Sequence, residues 1–279
     1  MKPIILAAAA AILTASPPPA LAQTLPQSSA LSYADLADLA AAAPVAAHVR
    51  IRDADALDAR AAPNVALGFT RFLIEAEVIA LIRGAGGIEA RVSYLADVAT
   101  DSRGRRPRIG RRAEMLVLAR RVPNRPAELQ LVAPDAQIPF SPQAAETLRA
   151  ILRDSSAADA APRITGIGRA FHVPGSLQGE SETQIFLQTA DNRPISLNVL
   201  RRPGETPRWS AALAEIVDDA AAPPAPGSFL WYRLACTLPP RLPAAALREA
   251  GEDEARAIQA DYRVVMEGLG PCLRTRPRR

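Results

Sequence analysis

Charged and apolar positions alternate along residues 71–82, with Glu75 and Glu77 on one parity and Phe72, Ile74, Ala76, Val78, Ala80 and Ile82 on the other. A period of two predicts a strand with one wet face. Gly84-Ala85-Gly86-Gly87 follows, and its glycines admit the positive φ of a tight reversal. Residues 88–97 alternate again, with Glu89, Arg91 and Ser93 set against Ile88, Ala90, Val92 and Tyr94. The two runs predict a β-hairpin. Val49–Arg52, Ala113–Arg121 and Glu128–Ala133 predict further strands, the last two joined by Pro123-Asn124-Arg125-Pro126. About five strands in succession bury one face and limit free edges as an antiparallel sheet or a small, partly open barrel.

Ser141-Pro142 then reads as a helix start, a capping hydroxyl followed by the residue pre-set for the first helical position. Leu148, Ile151 and Leu152 supply its buried stripe. Ser155–Pro162 lacks periodicity and reads as a linker. Beyond it, Thr183–Thr189 and Ile195–Arg201 flank the turn residues Asp191-Asn192 and predict a second hairpin. Trp209–Asp219 fits strand or helix equally. Ser228–Leu238 predicts a helix capped by Ser228, with Leu230, Leu234 and Leu238 at i, i+4. In Glu252–Gly268, Ala255, Ile258, Tyr262, Val265 and Leu269 line one side of a longer helix, and Gly268 and Gly270 end it.

The N-terminus changes the picture most. Lys2, the apolar run Ile4–Leu13, the helix-stopping Pro17-Pro18-Pro19 and the small residues of Ala20-Leu21-Ala22 occur in the order of a cleavable signal peptide. Residues 1–22 are therefore expected to direct export to the periplasm or the medium, with cleavage before Gln23. No later stretch approaches the roughly 18 apolar residues of a membrane span, so the mature chain is expected to lack one. Residues 23–47, rich in Ala, Gln, Ser and Pro, read as a loose lead-in, although Tyr33–Leu39 admits a short helix. The formal net charge of +4 falls by one with Lys2 and by four more without Arg274, Arg276, Arg278 and Arg279, to −1. The excess of positive charge is thus local, in contrast to the basic face of a nucleic-acid binder.

Arg169–Val173 with Gly175–Gln188, and Leu230–Pro239, resemble a group of uncharacterised exported proteins of high-GC Gram-negative bacteria. The resemblance implies a periplasmic compartment and carries no activity.

Export bears on Cys236 and Cys272, the only cysteines. An oxidising compartment favours a bridge between them, and closing a loop of about 35 residues stabilises by roughly 4 kcal/mol in the chain-entropy model. His48 and His172 lack a second ligand at i+2 or i+4, so neither predicts a metal centre, and no cofactor is expected. His172 with Ser176, Glu180, Ser181 and Glu182 is the nearest raw material for a serine hydrolase, but the G-x-S-x-G elbow is missing. Residues 103–112 (RGRRPRIGRR) carry Arg103, Arg105, Arg106, Arg108, Arg111 and Arg112 and no acid, punctuated by Gly104, Pro107 and Gly110. Guanidinium forks match phosphate and carboxylate, so this loop is the candidate anion-docking element. No aromatic platform is interleaved with it, and single-strand binders stack bases on such rings; nucleic acid is not expected.

These readings define an α+β chain. A signal peptide (1–22) and lead-in (23–47) precede an antiparallel β domain with a helix (48–154), a linker (155–162), an α+β domain with C-terminal helices (163–273) and a basic tail (274–279). The expected function is non-catalytic binding to an anionic envelope component or a protein partner. A periplasmic hydrolase with His172 as base is the alternative.

Overall fold

The computed structural model describes residues 31–58, 60–213 and 221–276. The expected signal peptide lies outside them, as do Arg278 and Arg279. Ser32 opens α1 (Tyr33–Ala42) by accepting the Asp35 N–H on its hydroxyl. Both sides of this helix are covered: Ala34, Asp35, Leu36, Ala37, Leu39 and Ala40 are all buried. The expected loose lead-in (23–47) is ordered from residue 33 onward, with the short helix read at Tyr33–Leu39 extending to Ala42 and β1 beginning at Val45, while residues 23–30 lie outside the described residues. Small alanines let the helix sink between neighbours without presenting a polar face, so its pattern carries no amphipathic signal.

Five strands follow and close on themselves. They are β1 (Val45–Ala56), β2 (Phe69–Arg83), β3 (Arg91–Ala99), β4 (Glu114–Val122) and β5 (Arg125–Leu131). The order is β1-β2-β3-β5-β4, with β4 returning to β1 and a short β6 (Gln137–Pro139) flanking β4. All these pairings are antiparallel except β3–β5, where Tyr94 sits opposite Leu129 in parallel register. This is the connectivity of an OB-type Greek-key barrel, closed rather than partly open. Register shifts at Ala46/Ala47, His48/Val49 and Ile51/Asp53 bend β1, which lets one strand serve both β2 and β4. The alternation read along β2 is real: Phe72, Ile74 and Ala76 fill the barrel with Val92, Tyr94 and Ala96 of β3.

Ser141 caps α2 (Pro142–Ser156), which buries Leu148, Ile151 and Leu152 as expected. The helix runs into the segment expected to be a linker. The remainder of that segment is held: guanidinium groups of Arg193 and Arg233 donate to the carbonyls of Ala158, Ala160 and Ala161.

A second antiparallel sheet contains β7 (Ile164–Pro174), β8 (Ser181–Thr189), β9 (Ile195–Arg201) and β10 (Arg208–Ala212) in the order β10-β9-β8-β7. Strand thus wins at Trp209; residues 214–220 lie outside the described residues. Helices α3 (Phe229–Ala235, capped by Ser228) and α4 (Glu252–Leu269) complete the fold, with a 3₁₀ turn at Ala244–Leu247 between them. One continuous apolar core runs from α1 through both sheets to α4. Among the described residues no helix is long and apolar enough to cross a membrane.

Candidate functional site

The arginine-rich loop joins β3 to β4 and is tightly tethered at its base. Asp101 accepts the backbone N–H groups of Arg103 and Arg105 and the Arg105 Nε, the last at 2.6 Å. The Arg105 N–H and guanidinium, with the Arg103 N–H, hold the Asp101 carboxyl below the usual carboxylate range. At the other end Arg112 takes a positive φ of 75°. Its N–H donates to Ile51 O, while Ile51 N–H donates to Ala113 O, so the loop is clipped to β1. Ile109 is half-buried against the core.

The six arginines divide into two groups. Arg105 pairs with Asp101, Arg111 with Asp53 at 3.1 Å and Arg106 with Asp58 at 3.9 Å. Among the described residues Arg103, Arg108 and Arg112 face no acid, and all three are exposed. Because β1 and β3 end where β2 and β4 begin, the 57–68 connection lies at the same barrel end. It presents Leu67, which is fully exposed.

The rest of the basic tail is a different matter. Arg274–Arg276 are not a free tail; they form a strap across α1 and the barrel. Asp35, wholly buried, accepts the Thr275 N–H and hydroxyl and the Arg276 N–H. Arg274 forks onto Asp38, and both Arg276 terminal nitrogens sit 2.6 Å from the Asp135 oxygens. Cys272 precedes the strap and is bonded to Cys236 at the end of α3. Sequence reading missed these acids, since nothing local links Asp35 to residues 240 positions away. The alternation of Arg and small residues in the tail is the one trace of the strap in the sequence.

His172 is not bonded to Ser176, Glu180, Ser181 or Glu182. His48 stacks on Phe140 and reaches Glu114, whose carboxyl is held low by Arg50 and then by His48. His172 Nδ1 lies 2.8 Å from Thr183 Oγ1, and the Thr183 hydroxyl donates to Asp261 Oδ2 at 2.5 Å. A hydroxyl has one proton to give, so Thr183 accepts from an Nδ1–H on His172. Arg201 holds the other Asp261 oxygen at 2.6 Å. This buried network docks α4 on the second sheet. Ser176 instead lies beside Glu180, and Ser181 is buried opposite Pro174. Among the described residues no three His, Cys, Asp or Glu side chains are grouped to hold a metal ion.

No family model matches the chain, and no curated protein matches it either.

Proposed function

We propose that the protein is an exported, non-catalytic binding protein that docks on an anionic envelope component through the β3–β4 loop. The observation that carries this reading is the set of three exposed guanidiniums, Arg103, Arg108 and Arg112, on a loop whose other arginines each lie within 3.9 Å of an acid and whose base is clipped to β1. A tethered loop loses little entropy on docking. The exposed Leu67 at the same end suits a lipid surface, where an apolar tip adds burial to charge attraction.

Each basic residue near an anionic lipid surface contributes about 1 kcal/mol, so three unpaired arginines account for roughly a hundredfold in partition. The test is cosedimentation with phosphatidylglycerol vesicles against phosphatidylcholine vesicles across a NaCl series. Binding to the anionic vesicles should fall steeply with salt, since exposed charges are screened within about 8 Å at physiological strength. A variant with all six loop arginines changed to Gln should lose it. Equal retention of parent and variant would defeat the proposal.

One observation favours a second reading, a hydrolase. The Thr183–Asp261 pair fixes His172 as the Nδ1–H tautomer, leaving Nε2 as a base. Among the described residues a carboxylate lies within reach of this ring, 3.8 Å away at Asp261, and no serine is bonded to it. Hydrolysis of a panel of ester, amide and glycoside reporters, lost in His172→Ala, would support it; no turnover by the parent chain would count against it.

A further inference from the structure

We infer that a cleft lined by none of the loop arginines binds an amphipathic anion, its carboxylate or phosphate gripped by Arg163 and Arg233 and its apolar body laid against Leu39, Phe69 and Val132. The cleft has a volume of about 850 Å³ and lies where β2, the β5–β6 connection, α1, α3 and the C-terminal strap meet. Five arginines and three aspartates line it. Each aspartate is already spent on an arginine: Asp38 on Arg274, Asp97 on Arg71 and Asp135 on Arg276. Arg163 and Arg233 are left over.

The two sit on one wall. Arg233 Nε donates to Ala161 O at 3.3 Å, two residues before Arg163. The Arg233 guanidinium is further held over the Phe229 ring, 4.6 Å from its centroid. Its terminal nitrogens have no acid partner among the described residues, and Arg163 has no side-chain partner there. Burial, and to a lesser extent the like charge of Arg163, disfavour the charged form of Arg233. An anion placed between them relieves that repulsion, and Arg233 is pre-organised to receive it. Apolar side chains of Leu39, Phe69 and Val132 complete the lining, so a bare inorganic ion would leave much of the cleft to water.

Calorimetry on the full mature chain tests the assignment with four probes at submicellar concentration: laurate, dodecyl phosphate, inorganic phosphate and dodecanol. Laurate or dodecyl phosphate should bind at least tenfold more tightly than phosphate and dodecanol, and the better of the two identifies the headgroup. Arg163→Gln should weaken that binding about tenfold, the loss of a charge-assisted contact. Arg163 is exposed, so an unchanged thermal midpoint will show that the fold survives. The variant with the six loop arginines changed to Gln should bind the same probe as the parent, which separates this site from the proposed docking loop. Equal binding of dodecanol, equal binding of phosphate, indifference to Arg163→Gln, or loss in the loop variant would each overturn the inference.

Discussion

Replacing Asp35 by Asn probes the strap at its centre. Asp35 is 0 % exposed and accepts from the Ser32 hydroxyl at 2.7 Å, the Thr275 hydroxyl at 2.6 Å, the Thr275 N–H and the Arg276 N–H. Asparagine keeps the volume but retains one acceptor oxygen, and turns an amide donor toward groups that also donate. Hydrogen bonds to a charged group contribute about 1.5–3 kcal/mol each; losing two gives an expected cost of about 3–6 kcal/mol. Urea unfolding at pH 7, with the bridge intact, measures it as a lower midpoint at unchanged slope. The pH dependence gives an independent check. Burial pushes the Asp35 carboxyl up, but its bonds from Thr275, Ser32 and Arg276 outweigh burial and leave it below 3.8. A carboxyl whose folded pKa lies under its unfolded value stabilises fully above the unfolded value, and that contribution is lost as pH falls from there through the folded pKa. The gap between parent and Asp35→Asn should therefore be constant from pH 7 to about pH 5 and narrow below pH 4. A cost under 1 kcal/mol at pH 7, or a gap that does not narrow in acid, refutes the account of the strap.

Two other perturbations test neighbouring parts of the fold. A Cβ added at Gly268 would lie 2.1 Å from Trp209 Nε1, so Gly268→Ala should destabilise by about 1–3 kcal/mol and shift tryptophan fluorescence; an unshifted spectrum at parental stability would deny the close packing of α4 on β10. Reducing the Cys236–Cys272 bond, which spans 36 positions, should lower unfolding free energy by about 4 kcal/mol, read as the drop in urea midpoint with and without dithiothreitol.

Much of the architecture was legible because one-sided burial writes a period into the chain. The parity of Phe72, Ile74 and Ala76 announced β2, and Ser141-Pro142 and Ser228 announced two helix starts that the structure caps as expected. What stayed hidden was non-local. Barrel closure depends on β1 pairing with β4, where His48 sits opposite Leu116 and Arg50 opposite Glu114, and its enabling bulges leave no local pattern. Helix α1 buries residues on both sides over 34–40, so its alanines show no single stripe. Arg163 and Arg233 are unremarkable in sequence; only the spending of Asp38, Asp97 and Asp135 on other arginines makes them unusual. The arginine loop was visible as composition, while the division of its charges into three paired and three unpaired arginines needed the positions of Asp53, Asp58 and Asp101.

Pairing, then, is what separates structural arginines from candidate ligand-binding ones in this Arg-rich chain. Arg71, Arg274 and Arg276 each meet a carboxylate at 2.5–2.6 Å and are partly shielded, so they act as crosslinks, of β2 to β3, of the strap to α1 and of the strap to the β5–β6 connection. Removing one would strand its aspartate at a cost in stability. Among the described residues Arg163 and Arg108 meet no acid, so their removal should leave folding almost unchanged. Stability and binding are therefore separable by mutation here. Arginines whose loss spares the thermal midpoint are the ones to examine for ligand affinity, and the same rule sorts the barrel-end loop and the cleft whatever either of them binds.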